Sequence, residues 1–103
     1  LEEKVLDYIV ELIFATREPS GVGLADLEDL IEFGTSPRAT IFLTRVSRAR
    51  AYLRGRDYVM PDDAKAMAPA VLSHRLRTTY EADARGIDSN EIVRRVLDAV
   101  PAP

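Results

Sequence analysis

The chain's longest helical pattern opens with Phe33-Gly34-Thr35-Ser36-Pro37-Arg38-Ala39-Thr40-Ile41. A serine directly before a proline is typical of a helix start: Ser36 is the expected N-cap, and Pro37 takes the first helical position, where a missing N–H costs nothing. Gly34 gives the backbone freedom to approach this turn. The stretch therefore predicts a helix from Pro37 to about Arg54, which Gly55 ends.

Arg38 falls in the first turn of this predicted helix, which is the unfavourable end for a cation. Exposed N–H groups already make a helix start electropositive, so the arginine there costs at most about 1 kcal/mol. A solvated side chain is one interpretation. The other is an anion site, because free helix N–H groups and a guanidinium together bind phosphate.

The same stretch resembles a known motif. Gly34-Thr35-Ser36-Pro37-Arg38-Ala39 is similar to the sensor-2 motif (Gly-x-Ser-Pro-Arg) of MoxR-type AAA+ ATPases. The likeness continues through Tyr8–Leu12, Ala15–Arg17, Gly55–Lys65, Ala68–Leu76 and Ala99–Pro101. It covers nearly the whole chain, but only the C-terminal helical lid domain of that family.

The resemblance implies the site and its cofactor. In such ATPases a separate α/β domain carries the phosphate loop, and the sensor-2 arginine of the lid reaches the γ-phosphate, so Arg38 is the expected catalytic residue. The implied cofactor-binding residues are Gly34, Ser36, Pro37 and Arg38, with ATP and Mg held mainly by the other domain. No metal ligand is expected in this chain, which alone should not hydrolyse ATP. The resemblance includes Thr16 and Arg17 but gives them no role.

Partners are implied in the same way. They are the N-terminal AAA+ α/β domain of the same protein, neighbouring subunits of a ring, expected to be a hexamer, and proteins with von Willebrand factor A domains. Members of the family act as chaperone-like ATPases, and a cytoplasmic location is expected.

Composition sets limits on function. A chain of 103 residues makes one domain, and because it starts at Leu1 inside a helical pattern we expect residues 1–103 to be a fragment of a longer protein. The net charge of −3 gives no attraction to nucleic acid, and no apolar run is long enough for membrane insertion. Cysteine is absent and His74 is the only histidine, which excludes thiol chemistry and a histidine-based metal site.

Apolar spacing predicts an all-α fold, a compact bundle of about four principal helices. The first helix, over residues 1–16, has its inner face at Val5, Ile9, Leu12 and Ile13, and a loop at Pro19–Gly23 follows it. Residues 24–33 form a short helix through Leu24, Leu27, Leu30 and Ile31, or are partly extended at Ile31–Phe33. In the helix from Pro37 the predicted inner face is Phe42, Val46, Ala49 and Leu53.

The C-terminal half supplies two further helices. Pro61 begins one, with Asp62 and Asp63 in its first turn and an inner face of Ala64, Met67, Val71 and Leu72; Pro69 should kink or split it near Ala68. Adjacent carboxylates diverge by about 100° on a helix, so Asp62 and Asp63 are not expected to hold a metal. Residues 78–87 are predicted to be a loop. Asp88 then caps the last helix, with Glu91 at N3 and an inner face of Ile92, Val93, Val96, Leu97 and Val100.

The alternative function is a stand-alone helical module that binds protein or DNA. Arg38, Arg45 and Arg48 share a stripe with Ile41 on the helix from Pro37, which could be a recognition face. The acidic balance of the chain argues against DNA. The stripe is otherwise a solvated face, an electropositive ridge that continues away from the phosphate site, or a contact with an acidic neighbouring subunit.

Overall fold

The structure is a computed structural model that describes residues 3–23 and 25–103, apart from the side chains of Ser20, Val22, Ala25 and Phe33. The expectations for Leu1 and Leu24 lie outside the described residues.

Helices dominate the described part of the chain. They are α1 (Glu3–Arg17), α2 (Arg38–Leu53), α3 (Pro61–Leu72), α4 (Tyr80–Ala84) and α5 (Ser89–Ala99). Two short antiparallel strands, β1 (Ile31–Phe33) and β2 (Arg77–Thr78), pair with each other. Two 3₁₀ turns, Pro19–Val22 and Ala25–Leu27, lie between α1 and β1. The predicted all-α bundle of four principal helices is confirmed, and the alternative of an extended segment at Ile31–Phe33 is confirmed with it.

The core lies where α1, α2, α3 and α5 meet. The largest side chains buried there include Ile9, Leu12, Leu43, Leu72, Ile92 and Val96. The inner faces predicted for the first, third and last helices are confirmed, with Met67 and Leu97 half-buried at the margin of the core. The N-cap of α5 is also confirmed, since the Glu91 N–H donates to Asp88 Oδ1 at 2.9 Å.

The predicted inner face of α2 is wrong for Phe42, Ala49 and Leu53, which are exposed, while Val46 is half-buried against the core. Phe42 and Leu53 are 43% and 86% exposed, whereas the residues buried from this helix are Ala39, Leu43, Ser47 and Ala51. The true face is rotated by one residue, about 100° around the helix. Its members are mostly small, which lets α2 pack closely against α3, and their weak apolar signal is hidden beside Phe42 and Leu53. Phe42 is covered on the outside by Arg75, whose guanidinium carbon lies 4.3 Å from the ring centre.

The start of α2 is predicted to within one residue, but its cap is not. Pro37 takes the N-cap position, no side chain caps the helix, and Arg38 is the first helical residue. The Ala39 N–H donates to the Ser36 carbonyl at 2.9 Å, and the Thr40 N–H donates to the Pro37 carbonyl at 3.1 Å. These backbone bonds replace the one expected from the Ser36 hydroxyl. At the other end, Gly55 has a φ of +77°, so the predicted glycine stop is confirmed.

The loop predicted over residues 78–87 and the split predicted as one outcome at Pro69 are wrong. The segment predicted as a loop contains α4, which Thr79 caps by accepting the Ala82 N–H at 3.3 Å. Pro69 does not split α3, which continues to Leu72. Because Pro69 lies in the last turn, only one helical hydrogen bond is lost, and the Ser73 side chain and N–H both donate to the Pro69 carbonyl.

Candidate functional site

The segment that leads into α2 is anchored on the last turn of α1. Thr16 of α1 and Thr35 are both fully buried. Their Oγ1 atoms lie 2.7 Å apart, and the Thr35 N–H donates to Thr16 Oγ1 at 3.1 Å. Thr16 Oγ1 also lies 2.7 Å from the Ile13 carbonyl oxygen, to which it donates.

The direction of the hydroxyl–hydroxyl bond follows from these contacts. A threonine hydroxyl has one hydrogen and two lone pairs. The hydrogen of Thr16 is used on the Ile13 carbonyl, so the Thr35 hydroxyl must be the donor to Thr16 Oγ1. Thr16 Oγ1 thus donates once and accepts twice, which uses its full capacity. Sequence reasoning could not find this contact, because 19 residues separate the two threonines.

Gly34 makes the close approach of the two segments feasible. A Cβ at this position would lie 2.5 Å from the Thr16 carbonyl oxygen and 2.9 Å from the Arg17 Cα. Gly34 does not have a positive φ, so the expected reason for this glycine, backbone freedom, is wrong. The glycine is required because any side chain would collide with the backbone of α1.

Arg38 is exposed and starts α2 directly after this anchor. Within residues 3–23 and 25–103 its guanidinium has no ion pair or hydrogen bond, and the first turn of α2 contains no acidic residue. The Ala39 and Thr40 N–H groups already have carbonyl acceptors. The expectation of free helix N–H groups is therefore wrong for these two, and among the described residues the Arg38 guanidinium is the group at this helix start that is left with donors to offer.

The rest of α2 adds positive charge. Residues 34–56 contain no acidic residue and carry Arg38, Arg45, Arg48, Arg50, Arg54 and Arg56. Arg45 and Arg48 are exposed, as the predicted stripe requires. Arg48 also borders a surface cleft of about 550 Å³ lined by Tyr52 and Tyr58.

Two of these arginines have a structural task that sequence reasoning missed. Arg50 Nη1 lies 2.6 Å from Asp63 Oδ1, and Arg56 forms two bonds of 2.7 Å with the same carboxylate. The Met60 N–H donates to Asp63 Oδ2 at 2.8 Å, so Asp63 also caps α3. The signal available in the sequence was an aspartate at N3 of a helix that lacks a polar N-cap.

Burial and charge set the ionisation of this cluster. Asp63 is fully buried, yet the hydrogen bonds from Arg56, with those from Met60 and Arg50, hold its pKa well below the usual value of 3.8. The bond to Asp63 in turn raises the pKa of Arg56. This carboxylate is fully engaged with Arg50, Arg56 and the Met60 N–H.

Comparisons with known proteins agree on one family. The AAA lid domain family matches residues 25–96. The chain is 42% identical over 99 residues to Chaperone MoxR1 of Mycobacterium tuberculosis, and 36% identical over 108 residues to Protein MoxR of Methylorubrum extorquens. These matches cover 96% and 99% of this chain but only 26% and 31% of those proteins.

A solved structure gives the same result. The crystal structure of a proposed ATPase from Cytophaga hutchinsonii superposes with a TM-score of 0.95 at 42% identity, and the match covers 99% of this chain and 31% of that one. The chain thus spans less than a third of each of these relatives. None of the helices in the part of the chain that the structure describes has the length and apolar character that crossing a membrane requires.

Proposed function

The chain belongs to the AAA lid domain family. We propose that it covers the nucleotide site of a MoxR-type AAA+ ATPase and that Arg38 is its sensor-2 arginine. Relatives named Chaperone MoxR1 and Protein MoxR match 96% and 99% of the chain, which supports this assignment over a stand-alone DNA-binding or adaptor module. The observation that most directly supports the sensor-2 role is the exposed guanidinium of Arg38 at the start of α2.

The surroundings of Arg38 favour binding of an external anion. A cation at the start of a helix is disfavoured by the helix dipole, and no acidic side chain in the first turn offsets that cost. A phosphoryl group placed beside the guanidinium would offset it. Arginine suits this role because its planar fork of donors matches phosphoryl oxygens and is always charged.

The chain's own residues fit the terminal phosphate of ATP, but not the whole nucleotide with its Mg. Arg38 offers donors for the phosphoryl oxygens, while ATP and Mg require the α/β domain. ATP bound there would supply a γ-phosphoryl group whose negative charge is spread over its three equatorial oxygens in the transition state. Arg38 stabilises that charge, and loss of the contact after hydrolysis changes the angle of the lid.

Gly34, Ser36 and Pro37 place this arginine rather than neutralise phosphate. Gly34 lies against α1, and the carbonyls of Ser36 and Pro37 accept the first N–H bonds of α2. They remain predicted cofactor-binding residues only in the sense that they form the turn that carries Arg38.

The proposal extends to the assembly. The partners are the α/β domain of the same protein, neighbouring subunits of a hexameric ring, and proteins with von Willebrand factor A domains, all in the cytoplasm. The arginine-rich surface of α2 supports a contact with an acidic partner surface.

Arg38→Ala in the full-length protein tests the proposal. We expect kcat for ATP hydrolysis to fall on the order of 100-fold, as when one donor to transition-state charge is removed. Arg94→Ala, which removes an exposed arginine of α5 outside the arginine-rich surface of α2, is the matched control and should keep kcat within about twofold. Equal hydrolysis by wild type and Arg38→Ala would contradict the assignment.

A further inference from the structure

We propose that the buried Thr16–Thr35 hydroxyl pair positions Arg38. The pair fixes the segment from Gly34 to Pro37 on α1, so that the backbone of Arg38 has one defined position. This inference rests on the proposed function, since it concerns how the same arginine is aimed.

The first support is that Thr16 Oγ1 uses its full hydrogen-bonding capacity. Thr16 Oγ1 donates to the Ile13 carbonyl and accepts from both the hydroxyl and the N–H of Thr35. Both residues are fully buried, so water cannot replace a bond that is lost. An unpaired polar group at this depth is costly, which makes any displacement of Thr35 from α1 unfavourable.

The second support is the stiffness of the chain between Thr35 and Arg38. Only Ser36 and Pro37 intervene. The ring of Pro37 locks its φ, which is −57°, and a residue that precedes proline is restricted as well. The bond from the Ala39 N–H to the Ser36 carbonyl, at 2.9 Å, closes the turn. The position of Thr35 therefore sets the start of α2.

The third support is the close contact at Gly34. Its Cα lies against the Thr16 carbonyl so closely that an added Cβ would be 2.5 Å from that oxygen. The hydroxyl bond between Thr16 and Thr35 thus joins two backbone segments that the absence of a side chain at Gly34 allows to come into contact. Thr16 matches a family pattern to which sequence reasoning could assign no role, and the structure assigns it this one.

The test measures ATP hydrolysis and thermal unfolding in the full-length protein. Thr16→Val keeps the shape of the side chain but removes the hydroxyl, and we expect kcat to fall about tenfold, with KM for ATP changed less than about twofold. Thr16→Ser keeps the hydroxyl and should retain kcat within about twofold.

A double variant separates positioning from a general loss of structure. If Thr16 acts only through Arg38, then Thr16→Val combined with Arg38→Ala will have the kcat of Arg38→Ala alone, within about twofold. Multiplied losses in a folded double variant would overturn the inference. If Thr16→Val does not fold at the assay temperature, Thr35→Val serves instead, because it leaves Thr16 bonded to Ile13 and to the Thr35 N–H.

The two proposals fail in different ways. Wild-type kcat in folded Thr16→Val or Thr35→Val, together with reduced kcat in Arg38→Ala, would overturn the positioning role and leave the sensor role standing. Wild-type kcat in Arg38→Ala would overturn the sensor assignment and the positioning role with it.

Discussion

Asp63 shows how one side chain can join three segments of a small domain. It receives hydrogen bonds from Arg50 near the end of α2, from Arg56 in the connection, and from the Met60 N–H before α3. Burying a carboxylate is favourable only when its lone pairs are satisfied, as they are here. Asp63 therefore links the end of α2, the helix that carries Arg38, to the start of α3.

Asp63→Asn should lower the free energy of unfolding by about 2–3 kcal/mol, because it removes the charge that pairs with both arginines. The matched control is Asp62→Asn, since Asp62 is exposed in the same turn and should cost less than about 1 kcal/mol. Denaturant unfolding of both variants at pH 7 checks this. Equal stabilities for the two variants would contradict a structural role for the Asp63 cluster.

The same carboxylate predicts a pH dependence. Its pKa is lowered in the folded state by the hydrogen bonds from Arg56, Met60 and Arg50, so its contribution is fully present above the ordinary value of 3.8 and is lost as the pH falls below it. The difference in unfolding free energy between wild type and Asp63→Asn should therefore be constant near neutral pH and shrink below about pH 4. A difference that grows towards acid pH would contradict this sign.

At the scale of elements, the contact between the end of α1 and the segment before α2 depends on the absence of a side chain at Gly34. Gly34→Ala should destabilise the domain by about 1–3 kcal/mol, because the new Cβ meets backbone rather than a movable side chain. Gly21→Ala is the control, since nothing lies within 4 Å of a Cβ there and its φ is not positive. Thermal unfolding that shifts equally in both variants would contradict the close packing at Gly34.

The register of α2 leads to a second prediction at this scale. Leu43 is fully buried, so Leu43→Ala should cost about 2–5 kcal/mol. Phe42→Ala should cost clearly less, although it removes a larger side chain and the contact with Arg75, because Phe42 is 43% exposed. A larger loss for Phe42→Ala, measured by denaturant unfolding, would support the register that the sequence predicts.

These elements show which features the sequence could reveal. The faces of α1, α3 and α5 were predictable because large apolar residues recur at helical spacing, as at Ile9 and Val96. The face of α2 was not, since Ala39, Ser47 and Ala51 carry little apolar signal. The Thr16–Thr35 bond and the Asp63 cluster were not predictable either, because their partners are distant in sequence. Arg38 was predictable as a candidate from its place in a motif.

At the scale of the whole molecule, we propose that this chain contributes Arg38 and the turn that places it to a phosphate site. It spans less than a third of the relatives to which it is similar. In the proposed role, Arg38 meets a phosphate that is bound mainly by another domain, so the measurement requires the full-length protein. In our proposal the lid contributes the contact with the γ-phosphate, and the α/β domain contributes the contacts common to ATP and ADP.

The most direct measurement compares the affinities of wild type and Arg38→Ala for ADP and for a non-hydrolysable ATP analogue, by calorimetry on the full-length protein. We expect Arg38→Ala to weaken binding of the analogue about tenfold or more, the value of a charge-assisted hydrogen bond, and to leave ADP binding within about twofold. Unchanged affinity for the analogue, or equal losses for both nucleotides, would contradict a γ-phosphate sensor at Arg38.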